Sequence, residues 1–172
     1  MRARRAGFTL IEVLVALVII ATLVGVIAVS LPGFDDRRAV REAERFEALL
    51  ALVCEQAELS GREIGIHLAR HGYGFSIGDR DRWLPYPVGH RFEAREVQGV
   101  ALTTPTRPLP DIVEFEDAPQ ASCWPTGELS AMDLRFEHEG RERLRVRTLV
   151  DGTPLIESAA GDAAGRDWRP LR

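Results

Sequence analysis

Gly7-Phe8-Thr9-Leu10-Ile11-Glu12-Val13-Leu14-Val15-Ala16-Leu17 opens an apolar stretch, Phe8 to Leu31, directly behind the basic leader Met1-Arg2-Ala3-Arg4-Arg5-Ala6. Within that stretch only Thr9, Glu12, Thr22 and Ser30 carry polar side chains. As a helix it would be about 36 Å long, enough to cross a hydrocarbon core of about 30 Å with some tilt. A charged side chain in such a setting costs roughly 2.5 to 3.5 kcal/mol on insertion scales, so Glu12 needs a partner. Arginines precede the stretch and Asp35-Asp36 follow it. The positive-inside rule therefore puts the N-terminus in the cytoplasm and the rest of the chain across the membrane, in a bacterium the periplasm.

An ordinary secretory signal is the competing reading, because Ala28-Val29-Ser30 loosely fits a small-x-small cleavage site. The apolar stretch exceeds the usual h-region of roughly 7 to 15 residues, and Glu12 lies near its start, so the anchor reading is preferred. The part beyond it, about 140 residues, is long enough for one domain with a sizeable core. Setting aside the three leader arginines, the chain's 22 basic and 26 acidic residues leave a net charge of −7, which disfavours bulk nucleic-acid binding. All the basic residues are Arg and none is Lys, a bias without functional weight.

The run from Gly7 to Leu17 resembles the start of type IV pilin precursors and of the pseudopilins of type II secretion. The resemblance implies that a membrane prepilin peptidase and methyltransferase cuts between Gly7 and Phe8 and N-methylates Phe8. Cleavage would create an α-amino group one helical turn from Glu12, so the two charges would share a helix face. An intrachain or an intersubunit pair would each offset burial of the carboxylate; the family precedent is the intersubunit pair, which makes Glu12 the assembly carboxylate.

Ser30-Leu31-Pro32-Gly33 interrupts the helix. Helical spacing resumes behind Asp35 or Asp36 as a cap and continues through Ala39, Ala43, Phe46, Leu49, Leu50, Val53 and Ala57, with the charged residues opposite. After Ser60-Gly61 the period becomes two. Ile64, Ile66 and Leu68 alternate with Glu63, Gly65 and His67, and His71-Gly72 turns into Tyr73-Gly74-Phe75-Ser76-Ile77. Further strands are expected at Trp83–Tyr86, Val97–Leu102, Ile112–Glu116, Met132–His138 and Leu144–Val150, the last joined by Asp151-Gly152 to Pro154–Glu157. One long helix followed by short strands predicts an α+β fold, the helix packed on a β-rich domain of two small antiparallel sheets. The expected organisation is a cleaved leader at 1–7, a transmembrane assembly helix at 8–31 and a periplasmic domain at 34–172.

Ala57-Glu58-Leu59-Ser60-Gly61-Arg62-Glu63-Ile64-Gly65-Ile66, together with Gly72-Tyr73-Gly74-Phe75 and Arg82-Trp83, is similar to the H-type minor pseudopilins. That likeness covers roughly residues 1 to 86. It implies a subunit at or near the tip of the pseudopilus, anchored in the inner membrane by a single pass. Its implied partners are other minor and major pseudopilins, the peptidase, the inner-membrane secretion platform, membrane lipid and exported cargo proteins.

The histidines are not expected to make a metal site. His67 and His71 have helical ligand spacing but fall on a predicted strand and its turn, without an accompanying HExxH-type glutamate. Major pseudopilins have a calcium loop, yet no carboxylate cluster around a glycine corresponds to it here. No cofactor is expected. No nucleophile elbow or phosphate loop is present, and an enzyme is not expected. Cys54 and Cys123 leave two readings open: an oxidising compartment permits a disulfide, while Cys54 on an apolar helix face also reads as a small buried hydrophobe. Thr103 to Pro110, with three prolines, cannot be an interior strand and reads as a surface loop. Trp168, flanked by Gly165-Arg166, Arg169 and Arg172, is expected to fold back onto the domain. The same cluster is the local support for an alternative function, a minor type IV pilin that captures DNA.

Overall fold

The computed structural model describes residues 10–30, 34–160 and 167–171, with side chains at 10–20, 37–159 and 167–171. The chain divides after Phe34 into two compact units. The first contains helix α1, Leu10–Ser30, about 32 Å long at 1.5 Å per residue. Its side chains from Leu10 to Ile20 are all exposed. The expected break at Leu31-Pro32-Gly33 lies outside the described residues.

The second unit is built on helix α2, Phe34–Ser60. The expected cap at Asp35 or Asp36 is therefore corrected. The helix already runs at Phe34, so both aspartates occupy its first turn, where the positive end of the helix dipole favours acids. At the other end Gly61, with φ of 64°, takes the left-handed conformation that ends many helices. Ala39, Ala43, Phe46, Leu50, Val53 and Ala57 are wholly buried, a stripe at alternating four- and three-residue spacing. That spacing keeps them on one side of the helix, where they meet the inward residues of two sheets in a single core. Leu49, expected on the same stripe, is only half-buried at its margin.

The first sheet holds β1 (Ile64–Ala69), β2 (Gly72–Asp79), β3 (Arg82–Pro85), β4 (Arg95–Glu96) and β6 (Ala121–Cys123), in the order β3-β2-β1-β6 with β4 also on β2. The second holds β5 (Ala101–Thr103), β7 (Asp133–His138), β8 (Arg141–Thr148), β9 (Pro154–Ala160) and β10 (Asp167–Pro170), in the order β10-β9-β8-β7-β5. All pairings are antiparallel, so the fold is the expected α+β arrangement.

Several local expectations need correction. Val97–Leu102 is not one strand. Residues 95–96 and 101–103 join different sheets, and Gly99, with φ of 76°, breaks the run between them. Ile112–Glu116 forms no strand. It lies in a strap over the back of β1 and β2, where Val113, Phe115 and Pro119 cover Gly65, Gly72 and Gly74. A Cβ on Gly74 would stand 2.8 Å from the Phe115 ring, and one on Gly65 would stand 2.9 Å from both Pro119 and Trp83. The glycines are thus the condition for burying the second face, and every residue of β1 is buried. The Asp151-Gly152 hairpin exists, but its loop is longer than two residues, closed by Leu149 N–H donating to Thr153 at 2.8 Å.

The outer strands offer little free backbone. β3 and β10 are four residues long and end on Pro85 and Pro170. On β5, Leu102 N–H is donated to the Arg70 carbonyl, and β6 is bridged on its far side through Leu129 and Ser130. Short, charged, proline-ended or covered strands are the usual defence against edge-to-edge pairing.

Candidate assembly surface

Gly7 and Phe8, the expected cleavage and methylation sites, lie outside the described residues. Glu12 sits in the first turn of α1 among exposed Leu10, Ile11, Val13 and Leu14, the one acid on a face otherwise of hydrocarbon. Among the described residues no helix is long and apolar enough to cross a membrane; the side chains described on α1 end at Ile20.

In the second unit, α2 is fixed to the first sheet by three kinds of bond. Phe46 meets the Tyr73 ring edge-on, with centroids 4.9 Å apart. Tyr73 Oη donates to Glu42 Oε1 at 2.7 Å, and Arg95 Nε donates to the same oxygen at 2.9 Å. Burial first, and then the Glu42 carboxylate, push the Tyr73 hydroxyl above its ordinary pKa, so it remains a donor. Cys54 on α2 is joined to Cys123 on β6 in a disulfide with Cα atoms 5.1 Å apart, which selects between the two readings open in the sequence.

The histidines are dispersed. His67 is buried under the strap, its Nε2 2.7 Å from Ser76 Oγ and its ring 4.7 Å from Phe115. Its Nδ1 faces the Glu114 backbone without reaching hydrogen-bond geometry. His90 stacks on Tyr86 at 4.5 Å, and His138 Nδ1 lies 2.8 Å from the Gly99 carbonyl. Among the described residues no three His, Cys, Asp or Glu side chains gather as a metal would require. The Ser76–His67 pair superficially suggests a nucleophile and its base. Both residues are buried beneath Phe115 and Trp83, so no substrate reaches them.

Burial lowers the His67 pKa from its ordinary 6.5, against a smaller opposing pull from the Glu114 backbone. A histidine depressed in the folded state favours folding above its unfolded pKa, and that contribution is lost as pH falls. We expect thermal stability to drop as pH is lowered from about 7.5 to 5, and the slope to flatten in His67→Asn. A variant with the wild-type slope would assign the acid sensitivity elsewhere.

On the outward face of the second sheet, Glu157 accepts from Arg145 Nε at 2.6 Å and Arg147 Nε at 2.7 Å. Trp168 does fold back: its ring receives the Arg145 guanidinium at 4.6 Å as β10 pairs with β9. Arg166 lies outside the described residues. Arg172 lies outside them as well; Arg145, which Trp168 meets, is held by a carboxylate and an indole, and Arg169 stands 3.4 Å from Asp167. Thr103–Pro110 is pinned by Arg70 N–H donating to the Pro110 carbonyl at 2.7 Å and by Thr104 Oγ1 donating to the Arg107 carbonyl at 2.9 Å.

Residues 2–28 match the prokaryotic N-terminal methylation motif. The chain is 35% identical to type II secretion system protein H of Pseudomonas aeruginosa, over 92% of this chain and 99% of that one. It is 26% identical to the protein of the same name from Escherichia coli K12, over 97% and 99% of the two chains. Among solved structures, the domain resembles the minor pseudopilin EPSH from the type II secretion system of Vibrio cholerae, with a TM-score of 0.60 and 24% identity over 74% of this chain and 98% of that one. E. coli GspH matches with a TM-score of 0.63 and 19% identity, over 79% and 98%. A methylation motif, an exposed apolar helix carrying one acid, and a helix-on-sheet domain converge with these likenesses: the chain belongs to the type II secretion system protein H family of minor pseudopilins, structural subunits that assemble with other pseudopilins and are not enzymes.

Proposed function

We propose that the chain is made as a precursor, cut between Gly7 and Phe8 and methylated on Phe8, and then built into the pseudopilus at or near its tip. Residues 8–31 form the single-pass inner-membrane anchor, with the N-terminus cytoplasmic and residues 34–172 in the periplasm. The peptidase acts on the precursor, and the secretion platform and exported cargo proteins are further partners. The observation that carries this reading is the methylation motif at residues 2–28 on a chain that matches protein H over nearly its whole length. The Cys54–Cys123 disulfide is the chemistry of an oxidising compartment. Intact-mass measurement of the membrane-extracted protein tests it. A methylated chain beginning at Phe8 is expected, and an unmethylated one beginning at Leu31 overturns it.

Glu12 then has a role that depends on cleavage. The new α-amino group of a neighbouring subunit, or of the same one, supplies the cation that makes a carboxylate tolerable among apolar side chains. Glu12→Ala is expected to leave processing intact while reducing incorporation into pseudopili at least several-fold, measured by comparing sheared filaments with the membrane pool. Incorporation at the wild-type level would remove Glu12 from assembly.

A further inference from the structure

A groove of about 820 Å³ runs along the first half of α2, walled on its other side by residues 95–100. Arg38, Arg41 and Arg45 line it, spaced three and four residues apart and so aligned over about 10 Å of one helix face. Arg38 reaches across toward Gly99, where a Cβ would stand 3.8 Å from its Nη1. The cleft continues into a second cavity of about 500 Å³ that shares Arg45 and Arg95 and adds Arg91.

The two cavities together are lined by Arg38, Arg41, Arg45, Arg91 and Arg95 and by Glu42, Glu44, Glu93 and Glu96, and of these acids Glu44 is already engaged. Glu42 is spent on Arg95 and Tyr73, and Glu93 accepts the Gly89 N–H. Among the described residues, none of the ion pairs takes up Arg38, Arg41, Arg45 or Arg91. Aligned guanidinium groups in a recess are built to receive carboxylates or phosphates in paired hydrogen bonds. A phospholipid surface is the poorer fit. Glu44 and Glu96 line the cleft among its arginines, so a uniformly anionic plane meets repulsion on approach. A protein segment can place its carboxylates opposite the arginines and avoid the acids.

We propose that this cleft docks an acidic segment of a neighbouring pseudopilin, with carboxylates about one helical turn apart, and so sets the register of the subunit beside its neighbour. The proposal rests on the assembly role above and adds to it a second contact, in the periplasmic domain. None of Arg38, Arg41 and Arg45 belongs to the core, so they can be changed without unfolding the domain.

The test uses the full chain in a secreting strain. Arg38→Glu/Arg41→Glu/Arg45→Glu is expected to keep leader processing and thermal unfolding at wild-type values while incorporation into pseudopili falls at least about tenfold. The control Arg80→Glu/Arg141→Glu, exposed arginines away from the cleft, is expected to assemble normally. A photo-crosslinking residue placed at position 41 should give adducts with an acidic segment of another pseudopilin, in a yield that falls as salt is raised from about 0.05 to 0.5 M. Wild-type incorporation of the triple variant, or adducts to phospholipid alone, overturns the proposal. If Glu12→Ala blocks incorporation and the triple variant does not, the cleft has failed and the assembly role stands. If neither affects it, both have failed.

Discussion

Loss of the Cys54–Cys123 bridge is expected to lower the unfolding free energy of the domain by about 4 kcal/mol. The bond closes a loop spanning 69 residues, and cross-linking a loop of that size removes roughly that much conformational freedom from the unfolded chain. Domains of this size are stable by only about 5 to 15 kcal/mol, so the change is a large share of the whole. The geometry concentrates the effect, because the bridge ties α2 to a strand of three residues, β6, too short to hold the helix by backbone pairing. Denaturant unfolding of Cys54→Ala/Cys123→Ala, and of the wild type with and without reductant, measures it. Reduced wild type should approach the double variant; if reduction shifts the unfolding free energy by less than about 1 kcal/mol, the bridge is not a principal support of the fold.

Removing the Glu157 carboxylate should cost a comparable amount, about 3 kcal/mol in Glu157→Ala. Its side chain is only 5% exposed and accepts from both Arg145 and Arg147. Deleting one member of a buried ion pair leaves uncompensated charge, which is typically worth about 3 to 5 kcal/mol; Arg147 is 39% exposed, so water relieves part of the loss. Burial pushes the Glu157 carboxyl up, and the hydrogen bonds and charges of Arg147 and Arg145 outweigh that push, so its pKa lies below the ordinary 4.5. A depressed carboxylate contributes stability that is complete above its unfolded pKa and lost as pH falls through the folded one. The wild type should therefore lose stability below about pH 4.5 more steeply than Glu157→Gln. Equal slopes would mean that the two arginines find other partners.

The two acid-sensitive groups sit in different parts of the fold and titrate in different ranges. His67 weakens the strap-covered sheet as pH falls below about 6.5. Glu157 weakens the outer face of the second sheet only below about 4.5. Lowering pH stepwise should thus loosen the back of β1 and β2 before β8 and β9, an order that hydrogen exchange can resolve.

What was legible in the sequence was periodic or chemical. The α2 stripe from Ala39 to Ala57, the hairpin of β1 and β2, and the apolar stretch with its lone acid all announce themselves by spacing. What was not legible depended on segments that meet only in space. Gly65 and Gly74 read as neutral members of an alternating strand, and only the strap laid across them explains why those positions hold no side chain. Ile112–Glu116 alternates like a strand and is instead the cover, because its apolar residues find glycine gaps to fill. β6 and β10 have too few residues to show a period. The cysteines are 69 positions apart, and no local pattern encodes a contact over that distance. The arginine cleft was hidden for a related reason: Arg38, Arg41 and Arg45 read as the solvated side of an amphipathic helix until the loop at 95–100 turned that side into a wall.

The closed strand borders have a meaning for a protein that must polymerise. A subunit concentrated in two dimensions on a membrane meets its own kind constantly, and an open strand would let any two copies join through their backbones in any order, without regard to which subunit came first. With β3 and β10 short and ending on proline and β5 and β6 already bonded on their outer sides, the described strands leave little of that indiscriminate route. Side-chain contacts then carry more of the encounter, and side chains carry identity. The borders of the sheets thereby turn a sticky fold into one that waits for the right neighbour.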